Sequence, residues 1–313
     1  MSMSKECRPD LSVVMPVYKC GQALAELHAR LTKVTAELSL TYEIIMVDDG
    51  CPDAGWSNIS DLSKKDDHVI GIKLSRNFGQ AIAIAAGLAE SKGDHVLVMD
   101  ADLQDPPEAI PILWNKAMEG SPLVFGRRTE EHQPAPRTLA GKLYFSFLRL
   151  ISSHSIDPNY GTFTLMSRDV VEEYLRFKEP NRHFLFILYW LGFDSCDVEY
   201  ARHKRGIGKS SYSFLSLMRH SFQGVLFYSQ SLIRLLNICT LAMIFLSALM
   251  LVSTAMGLDP FVWRSLLSLF TIFLALTVSI CGVFLGQIFE QTKQRPLFVV
   301  MKRIWRGAED QNS

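Results

Sequence analysis

Five short runs of apolar, β-favouring residues constrain this chain more than anything else in it. Leu11–Met15, Tyr42–Val47, Val69–Leu74, Val96–Met99 and Leu123–Phe125 are rich in Val, Ile, Leu and Met, as expected of strands buried on both faces. Segments with helical character separate them, among them Ala23–Leu38 and Gln80–Glu90. The alternation predicts an α/β fold with a mostly parallel, Rossmann-like sheet covered by helices. Such sheets bind ligands beyond the carboxyl ends of their strands. Three polar clusters fall at those ends and should be neighbours: Pro16-Val17-Tyr18-Lys19, Asp48-Asp49-Gly50 and Asp100 to Gln104. Neither a G-x-G-x-x-G nor a P-loop sequence is present, which argues against a dinucleotide dehydrogenase or a kinase-like NTPase.

The third cluster carries the chemistry. Asp100-Ala101-Asp102 follows the apolar run ending at Met99, and residues i and i+2 of a strand point the same way. Asp100 and Asp102 are therefore expected to converge on one hard cation, Mg²⁺ or Mn²⁺, which prefers oxygen ligands completed by substrate phosphates. That points to an enzyme acting on a nucleotide diphosphate. The acids that follow have a plainer reading: Asp105 as N-cap, Pro106 at the first helical position and Glu108 at the third describe the start of a helix.

Two stretches without a charged residue, Leu235–Leu258 and Ser265–Phe289, each exceed the ~20 residues needed to cross a bilayer core. They predict a two-helix transmembrane hairpin whose short linker holds Asp259, Pro260 and Arg264; two buried core helices are the alternative. Arg219 and Arg234 precede the pair, and Lys293, Arg295, Lys302, Arg303 and Arg306 follow it. This places both flanks in the cytoplasm, at the inner membrane. Between Ser213 and Arg234, apolar residues are interspersed with Arg219, His220, Gln223 and Gln230, a pattern suited to a helix lying in the membrane interface. The residues before Leu11 hold no apolar stretch, so no secretory signal is expected. The six cysteines form no CxxC pair, which fits reduced thiols. The 32 basic and 32 acidic residues cancel, so a nucleic-acid partner is not expected.

Several motifs together resemble a known family. They are Val14-Met15-Pro16-Val17-Tyr18, Glu43 to Gly50, Arg76-Asn77-Phe78-Gly79-Gln80, Asp100 to Glu108, Gly126-Arg127-Arg128, Gly161 to Arg168, and Arg205-Gly206-Ile207-Gly208-Lys209-Ser210-Ser211-Tyr212. Over nearly its whole length the chain resembles the inverting family-2 glycosyltransferases of GT-A fold. The last two motifs, with the hairpin, resemble the polyprenyl-phosphate branch, which includes dolichol-phosphate mannose synthase and the bactoprenol glucosyltransferases. The resemblance implies that Pro16, Tyr18 and Asp49 hold the base and ribose, and that Asp100, Asp102 and Gln104 arrange the metal and diphosphate. It also implies that Arg127, Arg137, Arg202 and Lys209 handle the acceptor phosphate, with Asp102, Arg127 and Lys209 catalytic. Planar guanidinium forks suit phosphate oxygens, whereas snorkelling at headgroup depth is the plainer account of such cations.

Three positions depart from the family pattern: Lys19 stands where Asn is common, Cys51 where Ser often follows, and Thr162 where several members have Asp. No dedicated base is expected, because a phosphate with a second pKa of about 6 is already largely ionised.

The expected organisation is a cytosolic catalytic domain over 1–212, an amphipathic helix over 213–234, two transmembrane helices over 235–289 and a basic cytosolic tail over 290–313. The expected activity is inverting transfer of one sugar from a nucleotide-diphosphate sugar, with UDP as default by resemblance, to polyprenyl phosphate, undecaprenyl phosphate above all. A catalytically inactive membrane scaffold or nucleotide-sugar sensor of the same fold is the alternative. Gly282 and Gly286 give one small-xxx-small face for helix packing, but oligomeric state is not legible in the sequence.

Overall fold

The computed structural model describes residues 8–129, 159–179, 182–202, 237–248, 252 and 260–310. Contacts divide the chain into two compact units: 1–145, 156–217 and 296–313 form one, and 146–155 with 218–295 form the other.

The first unit is built on a sheet that has nine strands among the described residues, in the order β7-β5-β6-β4-β1-β2-β3-β8-β9. The strands are β1 (Leu11–Val17), β2 (Tyr42–Asp48), β3 (Val69–Leu74), β4 (His95–Val98), β5 (Leu123–Arg128), β6 (Tyr160–Ser167), β7 (Ser195–Tyr200), β8 (Val300–Trp305) and β9 (Ala308–Asp310). The helices of this unit are α1 (Leu24–Glu37), α2 (Gly55–Lys65), α3 (Gln80–Glu90), α4 (Ile110–Met118), α5 (Arg168–Leu175) and α6 (Phe184–Leu191).

The central strands β4-β1-β2-β3 are parallel, and they match the expected runs closely because both of their faces are buried. Val13, Met15, Ile44, Met46 and Leu97 join one core with Leu24, Leu27 and Leu31 of α1. Those three leucines recur at helical spacing, and each buried one contributes about 1.5–3 kcal/mol. Val14 and Val47 face the other way, against α3. A Cβ on Gly87 of α3 would come within 2.4 Å of Val14, so the missing side chain is what lets this helix lie on β1.

The flanks correct the mostly parallel expectation. β6 lies antiparallel between β4 and β5, β7 is parallel to β5, and β8 and β9 add antiparallel beyond β3. The sheet is therefore mixed. The region 290–313, expected as a basic tail, supplies β8 and β9. Ile304 is buried there, 3% exposed, and Arg303 and Arg306 lie by Glu90 and Asp67 at 3.4 and 3.7 Å. Its cations had suggested a solvated segment. On a strand, however, alternate residues face apart, so Ile304 packs inward while charged neighbours stay outside.

In the second unit, α7 (Asn237–Ala248) and α8 (Pro260–Thr292) are the described helices. Within α8, Phe270–Thr292 is long and apolar enough to cross a membrane, and it is the one such helix among the described residues. Asn237–Ala248 is shorter, and most of the rest of the expected first span, 249–258, lies outside the described residues, so one of the two expected spans is found among them. Pro260 and Arg264, expected in the linker, belong to α8. Proline is tolerated there because the first helical turn has no N–H partner to lose. The expected interface helix over 213–234, Arg137 and Lys209 lie outside the described residues.

Candidate functional site

The carboxyl ends of β1, β2 and β4 meet, as their parallel pairing requires. Met99 N–H donates to the Val14 carbonyl at 3.1 Å, and Asp49 N–H to the Val17 carbonyl at 3.0 Å. The three polar clusters are thus neighbours.

Asp100 lies just past β4. Its Oδ1 accepts hydrogen bonds from Gln80 Nε2 at 2.7 Å and Thr162 Oγ1 at 2.8 Å, and its Oδ2 lies 3.9 Å from Arg202 Nη2. Burial pushes its carboxyl up to about 6, and the charges of Asp105 and Asp102 push the same way. Asp102 is no longer on the strand. The chain bends at 101–103, with Leu103 at φ +62°, and Asp102 Oδ1 accepts the Gln104 N–H at 3.2 Å. The two acids are close by virtue of this turn rather than of strand alternation.

Asp105 is not the helix cap that its spacing suggested. The turn that opens at Pro107 has no side-chain cap, and the Asp105 side chain is fully buried. Its Oδ1 accepts the Tyr200 hydroxyl at 2.7 Å and lies 3.5 Å from Arg202 Nε. Tyr200 in turn accepts from Arg128 Nε at 3.4 Å. Glu108, the other expected capping residue, forms a two-pronged pair with Arg30 at 2.9 and 2.6 Å.

The structure places the two arginines of β5 differently. Arg127 pairs with Glu199 on β7 at 3.0 Å, whereas Arg128 is the one drawn toward the acids. Burial pulls its pKa down, but the neighbouring Asp105, Tyr200 and Asp100 outweigh this and raise it. Adjacent strand residues point to opposite faces, so only one of the pair can face the cluster.

Asp49 is also placed differently from expectation. It is 2% exposed, and its oxygens accept the N–H groups of Phe78 at 2.7 Å and Gly79 at 2.9 Å. Burial pushes its carboxyl up to about 6 against those two bonds. Its effect is to pin the turn that opens α3, and with it Gln80. Asp48 Oδ1 accepts the Cys51 N–H at 2.8 Å. Tyr18 is 38% exposed at the end of β1, with Lys19 Nζ 5.1 Å from its ring centre, and Pro16 is half-buried beside it.

The structure thus brings together Asp100, Asp102 and Arg202 of the expected set and adds Gln80, Arg128, Asp105 and Tyr200. Strand alternation at Arg127-Arg128 was the one available signal for Arg128. Nothing in the sequence joins Asp105 to Tyr200 across 95 residues.

For a divalent ion, the donor set is partial. Among the described residues no three His, Cys, Asp or Glu side chains form a ligand cluster. A Mg²⁺-like ion fits all the same, because it characteristically takes one or two carboxylates and completes its shell with water and phosphate oxygens. Asp100, Asp102 and the adjacent Gln104 offer that chemistry.

A family model described as glycosyl transferase family 2 matches residues 12–175. An uncharacterized glycosyltransferase of Synechocystis sp. is 31% identical, covering 93% of this chain and 94% of its own. The bactoprenol glucosyl transferase of Shigella phage SfII is 29% identical, covering 93% and 97%. Among solved structures, mannosyl-3-phosphoglycerate synthase from Rubrobacter xylanophilus shares the fold, with a TM-score of 0.51 at 16% identity over 72% of this chain and 74% of that one.

Proposed function

The chain belongs to glycosyl transferase family 2, and from that membership we propose that it moves one sugar from a nucleotide-diphosphate sugar to a polyprenyl phosphate, with inversion, at the cytoplasmic face of the inner membrane. The observation that carries the reading is the likeness to a bactoprenol glucosyl transferase along 93% of the chain, a stretch that takes in both the acid-bearing sheet and the apolar helices. A UDP-sugar and undecaprenyl phosphate are the proposed substrates, and the charge-free stretches form the proposed membrane hairpin.

In this reading an oxygen of the acceptor phosphate attacks the anomeric carbon. The bond from that carbon to the donor's diphosphate breaks, and the nucleoside diphosphate leaves with the electron pair. Asp100, Asp102 and Gln104 would hold a Mg²⁺ or Mn²⁺ ion, which supplies Lewis-acid stabilisation of the leaving group. Gln80 and Thr162 fix the Asp100 carboxylate in one orientation through its Oδ1. Thr162 donates its hydroxyl proton there and takes no part as a base. None is required, since the acceptor is already ionised near neutral pH; positioning and charge screening do the work. Arg202, with Lys209 and Arg137 from the expected set, supplies that screening, and Tyr18 and Pro16 line the nucleotide end.

Nucleoside diphosphate release tests this, with the full chain in nanodiscs, undecaprenyl phosphate, a divalent ion and a panel of UDP-, GDP- and dTDP-sugars. Release that requires lipid, ion and one donor together is the expected result. Release with donor alone overturns the acceptor assignment. Silence across the panel with donor binding intact favours a non-catalytic sensor or scaffold.

A further inference from the structure

The least expected feature of the site is a fully buried carboxylate that serves no helix. Burying a carboxylate costs several kcal/mol unless charged and hydrogen-bonding partners compensate. Among the described residues Asp105 is hydrogen-bonded on one side: Oδ1 takes the Tyr200 hydroxyl, while Oδ2 is buried with no hydrogen-bond partner there. An apolar residue would fill the same space more cheaply, so the charge needs another explanation.

That explanation lies in the two arginines around it. Arg202 Nε sits 3.5 Å from Asp105 Oδ1, and Arg128 reaches Tyr200 at 3.4 Å. The room is built for this arrangement. A Cβ on Gly161 would fall 2.0 Å from Arg128 Nη2, and one on Gly126 would fall 2.9 Å from the Tyr200 ring. A side chain at Gly161 would displace the arginine, and one at Gly126 would press on both Phe163, at 2.6 Å, and Tyr200. Arg128 therefore lies over the Gly161 backbone, with its Nε turned to Tyr200 and its two Nη nitrogens as the pair suited to fork onto phosphate oxygens.

We propose that Arg128 contacts a substrate phosphate at the Asp100 end of the site, and that Asp105 is a positioning residue that holds Arg128 through Tyr200 and steadies Arg202 directly. The proposal rests on the transferase reading and extends it to residues on three separate strand ends. The phosphate belongs either to the donor's diphosphate or to the lipid acceptor, which present the same oxygens to a guanidinium. Asp105 keeps the arginines from collapsing onto Asp100 before substrate arrives, because it offers them a second carboxylate that cannot leave.

The test compares the parent full chain in nanodiscs with Arg128→Lys, Asp105→Asn and Tyr200→Phe. KM is measured separately for the nucleotide sugar and the lipid phosphate, and binding of inorganic diphosphate and inorganic phosphate is measured by calorimetry without turnover. Arg128→Lys keeps the charge but loses the fork, so KM for one substrate should rise about tenfold while the other stays within about twofold. Asp105→Asn should raise the same KM, and should add less than about twofold on top of Arg128→Lys, because the two act in one chain. Tyr200→Phe, which removes a single hydroxyl, should reproduce the effect in weaker form and carries the test if Asp105→Asn fails to fold. A rise in the nucleotide-sugar KM, with weaker inorganic diphosphate binding, assigns the donor; a rise in the lipid KM assigns the acceptor. Additive effects, or losses in kcat that follow the unfolding temperature at constant KM, overturn the positioning role. If the parent shows no turnover, the transferase reading fails by itself. Diphosphate binding then decides the present proposal: weaker in Arg128→Lys and Asp105→Asn supports it, and unchanged in both overturns it.

Discussion

Two acidic turns sit at the carboxyl ends of the two strands that flank β1, one after β2 and one after β4, and their carboxylates are held in opposite ways. Asp49 is closed over by main-chain N–H groups of Phe78 and Gly79, and Asp48 by that of Cys51. Asp100 is met by side chains, Gln80 and Thr162 on one oxygen and Arg202 near the other. A carboxylate held by the backbone is part of the scaffold, since those donors cannot leave without unfolding the turn. One held by side chains and mobile cations can exchange them for a substrate or a metal. The comparison teaches that acidity at a strand end is not sufficient for chemistry; the identity of the donors decides.

The sharpest way to break that contrast is Asp102→Asn. Loss of a metal- and phosphate-ordering carboxylate should lower kcat by about 10³-fold or more, some 4 kcal/mol of transition-state stabilisation, with the fold intact. Near-parental release of nucleoside diphosphate would remove the β4 turn from the chemistry.

Asp49→Ala should do the reverse. It strips two half-buried N–H groups of their acceptor, at about 1–3 kcal/mol each, so thermal unfolding should show a loss of about 2–6 kcal/mol. Activity should fall mainly through the fraction unfolded. A variant as stable as the parent but without donor binding would return Asp49 to the nucleotide pocket.

Asp49→Asn sharpens the same side through pH. With its carboxyl pushed up to about 6 by burial, the folded state holds this proton between the ordinary value of 3.8 and about 6 while the unfolded chain has released it. Stability from this group is therefore greatest at low pH and declines as pH rises through that window, by a total on the order of 1–3 kcal/mol. Parent minus variant stability, measured from pH 4 to 7, should show that decline; a rising or flat difference contradicts it.

The smallest expected effect is Thr162→Val. Asp100 keeps Gln80 but loses one donor, worth about 0.5–1.5 kcal/mol, so kcat should drop roughly threefold to tenfold without a change in unfolding temperature. A larger loss would make Thr162 a substrate contact.

Legibility followed burial. β1 to β4 were readable to within about two residues because strands buried on both faces are almost continuous in aliphatic residues. β7, Ser-Cys-Asp-Val-Glu-Tyr, alternates between exposed and buried positions and offers too little apolar signal to stand out. β8 hid behind Lys302 and Arg303. The acidic turn after β4 was legible as a cluster, yet its third acid was misread, because Asp-Pro-Pro-Glu before a helix looks the same whether the aspartate faces solvent or a tyrosine from another strand.

By itself, then, the sequence determined the central parallel strands, the acidic cluster at the end of β4, and the apolar character of the region after 235. These depend on local patterns: hydrophobic runs, their punctuation and charge-free length. Only the tertiary structure decided that Arg128 rather than Arg127 turns toward the acids, that Asp105 is buried against Tyr200, and that 300–310 completes the sheet. Each of those depends on which strand lies beside which, and on the face a residue then presents, and strand neighbours far apart in the chain leave no trace in local sequence.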